Sequence, residues 1–106
     1  MRQATVFFKG QEAGTLTQPD DGSFVFQYAH SWVDDDSKPP ISLTLPKTKL
    51  AYRSAFLFPF FYSLLPEGSN KQVVCQLKRI DPNDYFGLLL TTAGNDTIGA
   101  VTVRKQ

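Results

Sequence analysis

The sequence predicts an α+β fold: a small antiparallel sheet of about five strands with three short helices packed on one face. Three observations carry this. The first half holds short runs of alternating apolar residues separated by turn-forming clusters, the signature of hairpins. The second half changes to helical spacing, with prolines and capping residues at the segment starts. The composition is that of a chain able to bury a core, 42% hydrophobic and 20% charged, and 106 residues make one domain, 1–106.

Gln3 to Lys9 is rich in β-branched and aromatic residues and reads as a first strand. Gly10-Gln11-Glu12 is a turn, and Ala13 to Gln18 a second strand. Pro19-Asp20-Asp21-Gly22 is a turn with a mechanism, because proline presets φ and Asp-Gly accepts the left-handed region. Ser23 to Tyr28 is a third strand with Phe24, Phe26 and Tyr28 on one face. Asp34 to Pro40 is a polar loop. Ile41-Ser42-Leu43-Thr44-Leu45 alternates and reads as a fourth strand closed by Pro46. Lys47 to Arg53 is basic, has no clear period and reads as a loop.

The stretch from Phe58 to Gly68 organises the second half. Pro59 suits the first helical position. Phe60, Phe61, Leu64 and Leu65 then form one broad apolar face. Pro66 stops this helix, and Gly68 permits a sharp redirection after Glu67. Ser69-Asn70-Lys71-Gln72 has the form of a capping box for a second helix, with Val73, Val74, Leu77 and Ile80 as its apolar face. Asp81 caps a third helix with Pro82 at its first position. Tyr85, Phe86, Leu89, Leu90 and Ala93 supply its face, and Gly94 ends it. Thr97 to Val103 reads as the last strand.

Charge and motifs exclude more than they assign. The net charge of +1 gives no footprint for nucleic acid. The single cysteine, Cys75, allows no internal disulfide and fits a reducing compartment. No stretch approaches the roughly 18 apolar residues of a membrane span, so the expected place is the cytoplasm. His30 has no partner at a catalytic spacing and reads as a turn or sheet-edge residue. Cys75 shares a helical turn with Lys78 and Arg79, but a cysteine packed beside the core is the better account. Asp34 to Asp36 lacks the glycine and glutamate of a calcium loop. Gly94 and Gly99 have P-loop separation, yet Ala100-Val101 stands where Lys-Ser would be. Trp32 and the aromatics of Phe56 to Tyr62 lack a basic groove and read as core or interface. No catalytic residue, cofactor or metal is assigned. What remains is an excess of aromatics, nine Phe and four Tyr beside one Trp, which favours a protein-binding surface.

Several motifs in order resemble a known family. Leu43-Thr44-Leu45-Pro46, Pro59-Phe60-Phe61, Leu64-Leu65-Pro66-Glu67-Gly68, Asp84-Tyr85-Phe86-Gly87-Leu88-Leu89 and Gly99-Ala100-Val101 look like the N-terminal subdomain of HipA-type serine/threonine kinase toxins. The opening hairpin, Gly10 to Leu16, matches too, and the resemblance covers essentially the whole chain. A HipA-type kinase continues for several hundred residues with its ATP loop, catalytic aspartate and metal ligands, none of which is matched here. A subdomain standing alone, from Met1 to Gln106, resembles the HipS proteins of three-gene HipBST toxin–antitoxin systems. The resemblance implies an antitoxin without enzymatic activity. It would neutralise a HipT-like kinase that lacks this subdomain, alongside a HipB-like helix-turn-helix protein that binds the operator. Two alternatives stay open: the structural N-terminal subdomain of an intact HipA-type kinase, and a nucleic-acid-binding accessory module. Neutral charge and the lack of a helix-turn-helix disfavour the second.

A kinase inhibitor needs an anchor that its own fold does not consume. Lys47 to Phe58 fits no period, yet carries Leu50, Tyr52, Arg53, Phe56, Leu57 and Phe58. Aromatic residues plus arginine are the composition of interface hot spots. Lys47, Lys49 and Arg53 would face the acidic groups of a kinase cleft. These residues are the candidate kinase contacts, and Pro59 to Gly68 the mainly structural motif.

Overall fold

Residues 1–65, 68–92 and 101–106 are described by the computed structural model. Five strands, β1 (Arg2–Phe8), β2 (Gln11–Gln18), β3 (Phe24–Tyr28), β4 (Ala51–Ser54) and β5 (Val101–Lys105), form one sheet. Their order is β4-β3-β2-β1-β5, with every neighbouring pair antiparallel. Four helices accompany it: α1 (His30–Val33), α2 (Pro59–Tyr62), α3 (Gly68–Lys78) and α4 (Tyr85–Thr92). The α+β class and the five-stranded sheet are as the sequence predicts.

The opening meander follows its turn chemistry. Lys9 and Gly10 both have positive φ, 51° and 80°, as a two-residue hairpin with the right twist requires. The second turn closes with Gly22 N–H donating to the Pro19 carbonyl at 3.0 Å. β1 and β2 slip register between Val6 and Phe7, where Ala13 is the extra residue of a bulge. Beside it Gly14 lies under β3, where an added Cβ would press on the Gln27 carbonyl oxygen.

Period two then builds the core. Ala4 and Val6, Leu16, Phe24, Phe26 and Tyr28, and Val101 and Val103 are all buried on one face. Phe61 of α2 and Phe86, Leu88 and Leu89 of α4 complete the same cluster. Phe61 is its hub, with ring centroids 5.6 Å from Phe26, 5.3 Å from Phe60 and 6.2 Å from Phe58. Each such buried ring contributes about 1.5–3 kcal/mol.

The N-terminal strand is also tied to α4. Arg2 donates two hydrogen bonds to the Asp84 carboxylate, at 3.0 and 2.7 Å, and its guanidinium lies 5.0 Å from the Phe86 ring centre. Asp84 caps α4, accepting the Gly87 N–H at 3.1 Å. Asp81 is therefore not the cap. Residues 81–84 form a turn, with Asn83 N–H on the Asp81 carboxylate and Asp84 N–H on the Asp81 carbonyl.

Other expectations are corrected. Ile41 to Leu45 is a tight turn rather than a strand, and the fourth strand falls at Ala51–Ser54, in the segment expected to be a loop. A proline on each side, Pro40 and Pro46, keeps the 41–45 segment from extending into a ladder. A fourth helix, α1, was not expected; it carries Trp32 into the core against Phe8, ring centres 5.6 Å apart. α2 has Pro59 at its first position as predicted but ends at Tyr62, after which Leu64 and Leu65 continue in tighter turns. α3 begins at Gly68, so Ser69 lies inside it rather than at its cap. Its predicted face is half right: Val74 and Ile80 pack against the core, but Val73 is 50% and Leu77 76% exposed, and Cys75 is buried in their stead. Lys71 also faces the body of the domain, its ammonium 5.3 Å from the Tyr85 ring centre. Pro66, Glu67, Ala93, Gly94 and Thr97 to Ala100 lie outside the described residues.

Candidate partner-binding surface

β4 is one edge of the sheet, and it carries two of the six predicted contacts, Tyr52 and Arg53, with the other four just before and after it. β4 pairs with β3 through Ala51 to Ser54 alone, four residues placed opposite Gln27 to Phe24. Leu50 enters this edge as backbone, its carbonyl accepting the Tyr28 N–H at 2.8 Å. Alternation then turns Tyr52 toward the core, leaving Ala51 and Arg53 exposed.

The six expected contacts separate into three groups. Leu57 and Phe58 are buried, each 7% exposed, and belong to the core under α2. Leu50 and Tyr52 are half-buried and pack against that core, and the Tyr52 hydroxyl donates to the Pro46 carbonyl at 2.6 Å. Arg53 is exposed and Phe56 is 80% exposed, so these two remain free for a partner. Phe56 N–H is held by the Ser54 hydroxyl at 3.2 Å, which fixes the bend that throws the ring outward.

Phe56 borders a shallow cavity of about 410 Å³ between the sheet end and the helices. Phe24, Leu57, Tyr62 and Tyr85 line it, with Gln18 and Asn83 as its polar groups. Tyr62 and Tyr85 meet edge to face at 5.7 Å, and Tyr62 is half exposed. Such a rigid aromatic cleft suits a partner's apolar side chain.

Electrostatics narrow the cation set. Lys47 is consumed internally, donating to the carbonyls of Asp35 and Lys38, both at 2.7 Å. Lys49 is exposed and lies 5.1 Å from the Tyr52 ring centre. Neither Lys49 nor Arg53 forms an ion pair among the described residues. Asp21 feels the Arg53 charge. Its carboxyl is held below the ordinary value of 3.8 first by the Ser23 hydroxyl and only weakly by the Arg53 charge. The edge and its flanks thus hold two cations outside any ion pair among the described residues, and an exposed phenyl ring.

Among the described residues no group of three His, Cys, Asp or Glu could hold a metal ion, and no helix is long and apolar enough to cross a membrane. Cys75 is buried, and Trp32 is core rather than a stacking platform.

Sequence reasoning missed the turn next to this edge. In an alternating strand Leu43 would share a face with Ile41 and Leu45, yet it is 94% exposed while they are buried. The flanking prolines were the available signal, since both resist a central strand.

The chain is an α+β domain with an open sheet edge beside an aromatic cleft. The chain belongs to the HipA N-terminal domain family, whose profile matches residues 4–104. A solved structure described as the N-terminal domain of HipA toxin superposes with a TM-score of 0.74 at 33% identity, covering 100% of this chain and 93% of that one. Two proteins of Sinorhizobium fredii, "Putative kinase Y4mE" and "Putative kinase Y4dM", are 35% and 34% identical over 106 and 103 residues. The chain spans only 25% of the length of each. An uncharacterized protein of Haemophilus influenzae is 35% identical over 106 residues, and there the match takes in 94% of that protein.

Proposed function

We propose that this chain is an antitoxin that binds and neutralises a HipA-like, HipT-type serine/threonine kinase lacking its own N-terminal subdomain. The observation that carries the reading is the Haemophilus influenzae relative, which consists almost wholly of this domain. A domain that occurs in that form, and also within kinase-named relatives four times its length, is suited to act on a kinase body in trans. The chain itself does no phosphoryl transfer, needs no cofactor and contacts the kinase through Arg53 and Phe56 on the β4 edge, with Lys49 beside them. A HipB-like DNA-binding protein completes a ternary complex, and the chain binds no nucleic acid itself.

A second reading is favoured by the two Sinorhizobium relatives: the domain acts as the structural N-terminal part of a kinase and does not inhibit it. Co-expression separates the two. A HipA-like kinase from the same genome, made without its N-terminal subdomain, should arrest growth alone, and this chain should restore growth and co-elute with the kinase in gel filtration. Equal toxicity with and without the chain overturns the antitoxin reading.

A further inference from the structure

We infer that the turn at Ser42 to Pro46 is a preformed anchor that seats Leu43 in an apolar pocket of the kinase body. This rests on the proposed function above. A solitary exposed leucine is ordinary on protein surfaces. The bracing of this one is not. Ile41 and Leu45 on either side are 6% and 2% exposed, so both ends of the turn are plugged into the core. The buried Tyr28 hydroxyl spans them, accepting the Ile41 N–H at 3.1 Å and donating to the Leu45 carbonyl. Within the turn the Leu45 N–H donates to the Ser42 carbonyl at 3.1 Å and the Thr44 N–H to the Ser42 hydroxyl at 3.2 Å. The two hydroxyls of Ser42 and Thr44 are 2.9 Å apart. Backbone that is already fixed loses little entropy on binding, which is the condition for an efficient anchor.

The occupant follows from what adjoins the turn and from the relatives. The Tyr52 hydroxyl on the Pro46 carbonyl joins the turn to β4, and the Lys49 ammonium lies 5.1 Å from the same Tyr52 ring. An exposed apolar side chain near a lysine that forms no ion pair among the described residues fits a protein surface with an apolar pocket and an acidic rim. In the Sinorhizobium relatives three quarters of the chain lies outside this domain, and that body is the surface to which the edge answers.

The test uses Leu43→Ser and, as a control, Leu77→Ser on the outward side of α3. Titration calorimetry against the HipA-like kinase lacking its N-terminal subdomain gives the affinities, with thermal unfolding run in parallel. Leu43→Ser should weaken binding about thirtyfold or more, as for a hot spot, with an unchanged unfolding midpoint, while Leu77→Ser stays within about threefold of wild type. Wild-type binding with Leu43→Ser inside that threefold window overturns the anchor and leaves the antitoxin reading standing. So does a loss of self-association with kinase binding intact, which would make a second copy the occupant. Failure of the wild-type chain to bind the kinase overturns both.

Discussion

Tyr28→Phe is the smallest perturbation that tests the fold and the anchor together. It keeps the ring, which packs edge to face on Phe26 at 4.8 Å, and removes only the oxygen. That oxygen is shared by two buried backbone groups, the Ile41 N–H and the Leu45 carbonyl. Both residues are nearly inaccessible, so water cannot replace the lost partner without opening the turn. Each orphaned group costs about 1–2 kcal/mol, giving about 2–4 kcal/mol together. Against a total stability of about 5–15 kcal/mol this is a large fraction. For a chain of this size it corresponds to a fall in Tm of about 8–16 °C. Circular dichroism melts measure it, and amide exchange locates it: the Ile41 and Leu45 amides should exchange faster, while those of β1 and β2 keep their relative protection. Kinase affinity should fall as well, because Leu43 loses its fixed presentation. A Tm within about 2 °C of wild type would show that the hydroxyl does not hold the turn and would refute the reasoning. Burial raises the Tyr28 phenol above its ordinary value of 10.0. The folded form therefore stays protonated where the unfolded one ionises. This contribution is complete below pH 10 and is lost as pH rises through the folded value.

Two further predictions follow from the same geometry. Arg53→Ala with Phe56→Ala should abolish neutralisation of the kinase while the melting midpoint barely moves, since both side chains are exposed; full neutralisation by the double variant places the contact elsewhere. Arg2→Gln should lower stability at neutral pH, and the gap from wild type should close in acid. The Arg2 hydrogen bonds, aided by the Gly87 N–H, hold the Asp84 carboxyl below its ordinary value of 3.8 against the opposing effect of burial. A depressed carboxyl stabilises above the unfolded value and ceases to do so as pH falls through the folded one. Denaturant titrations at pH 7 and in the acid range test this, and a gap that stays constant across that range would refute the assignment.

The sequence is legible where local chemistry and tertiary packing agree. Pro19-Asp20-Asp21-Gly22 can only turn, and Phe24, Phe26 and Tyr28 can share a face only as a strand. The family motif Pro59-Phe60-Phe61 starts a helix and places Phe61 at the centre of the aromatic cluster. Legibility fails where one pattern admits two backbones. Ile41-Ser42-Leu43-Thr44-Leu45 alternates like a strand, but a tight turn also buries its first and last residues and lifts the middle one out. Ala51 to Ser54 is too short and too polar to announce itself, because an edge strand is held by one neighbour only. The candidate contacts suffered from the same ambiguity. An aperiodic segment signals exposure only on average, and here Leu57 and Phe58 plug the core while Phe56 between them and β4 does not.

That mixture bears on how a domain this small spares any surface for a partner. Its core is completed by residues brought in from irregular segments: Ile41 and Leu45 from the turn, Leu57 and Phe58 from the approach to α2. Each buried pair fixes the backbone beside it. Leu43 is thereby held between two buried neighbours, and Phe56 is held one residue before Leu57. The exposed positions thus adjoin backbone that the core fixes, so where these apolar groups sit is set by folding itself. Substitutions at Ile41, Leu45 or Leu57 should consequently reduce stability and partner affinity together. Substitutions at Leu43 or Phe56 should separate the two, and that contrast distinguishes a docking edge from a loop that is merely uncovered.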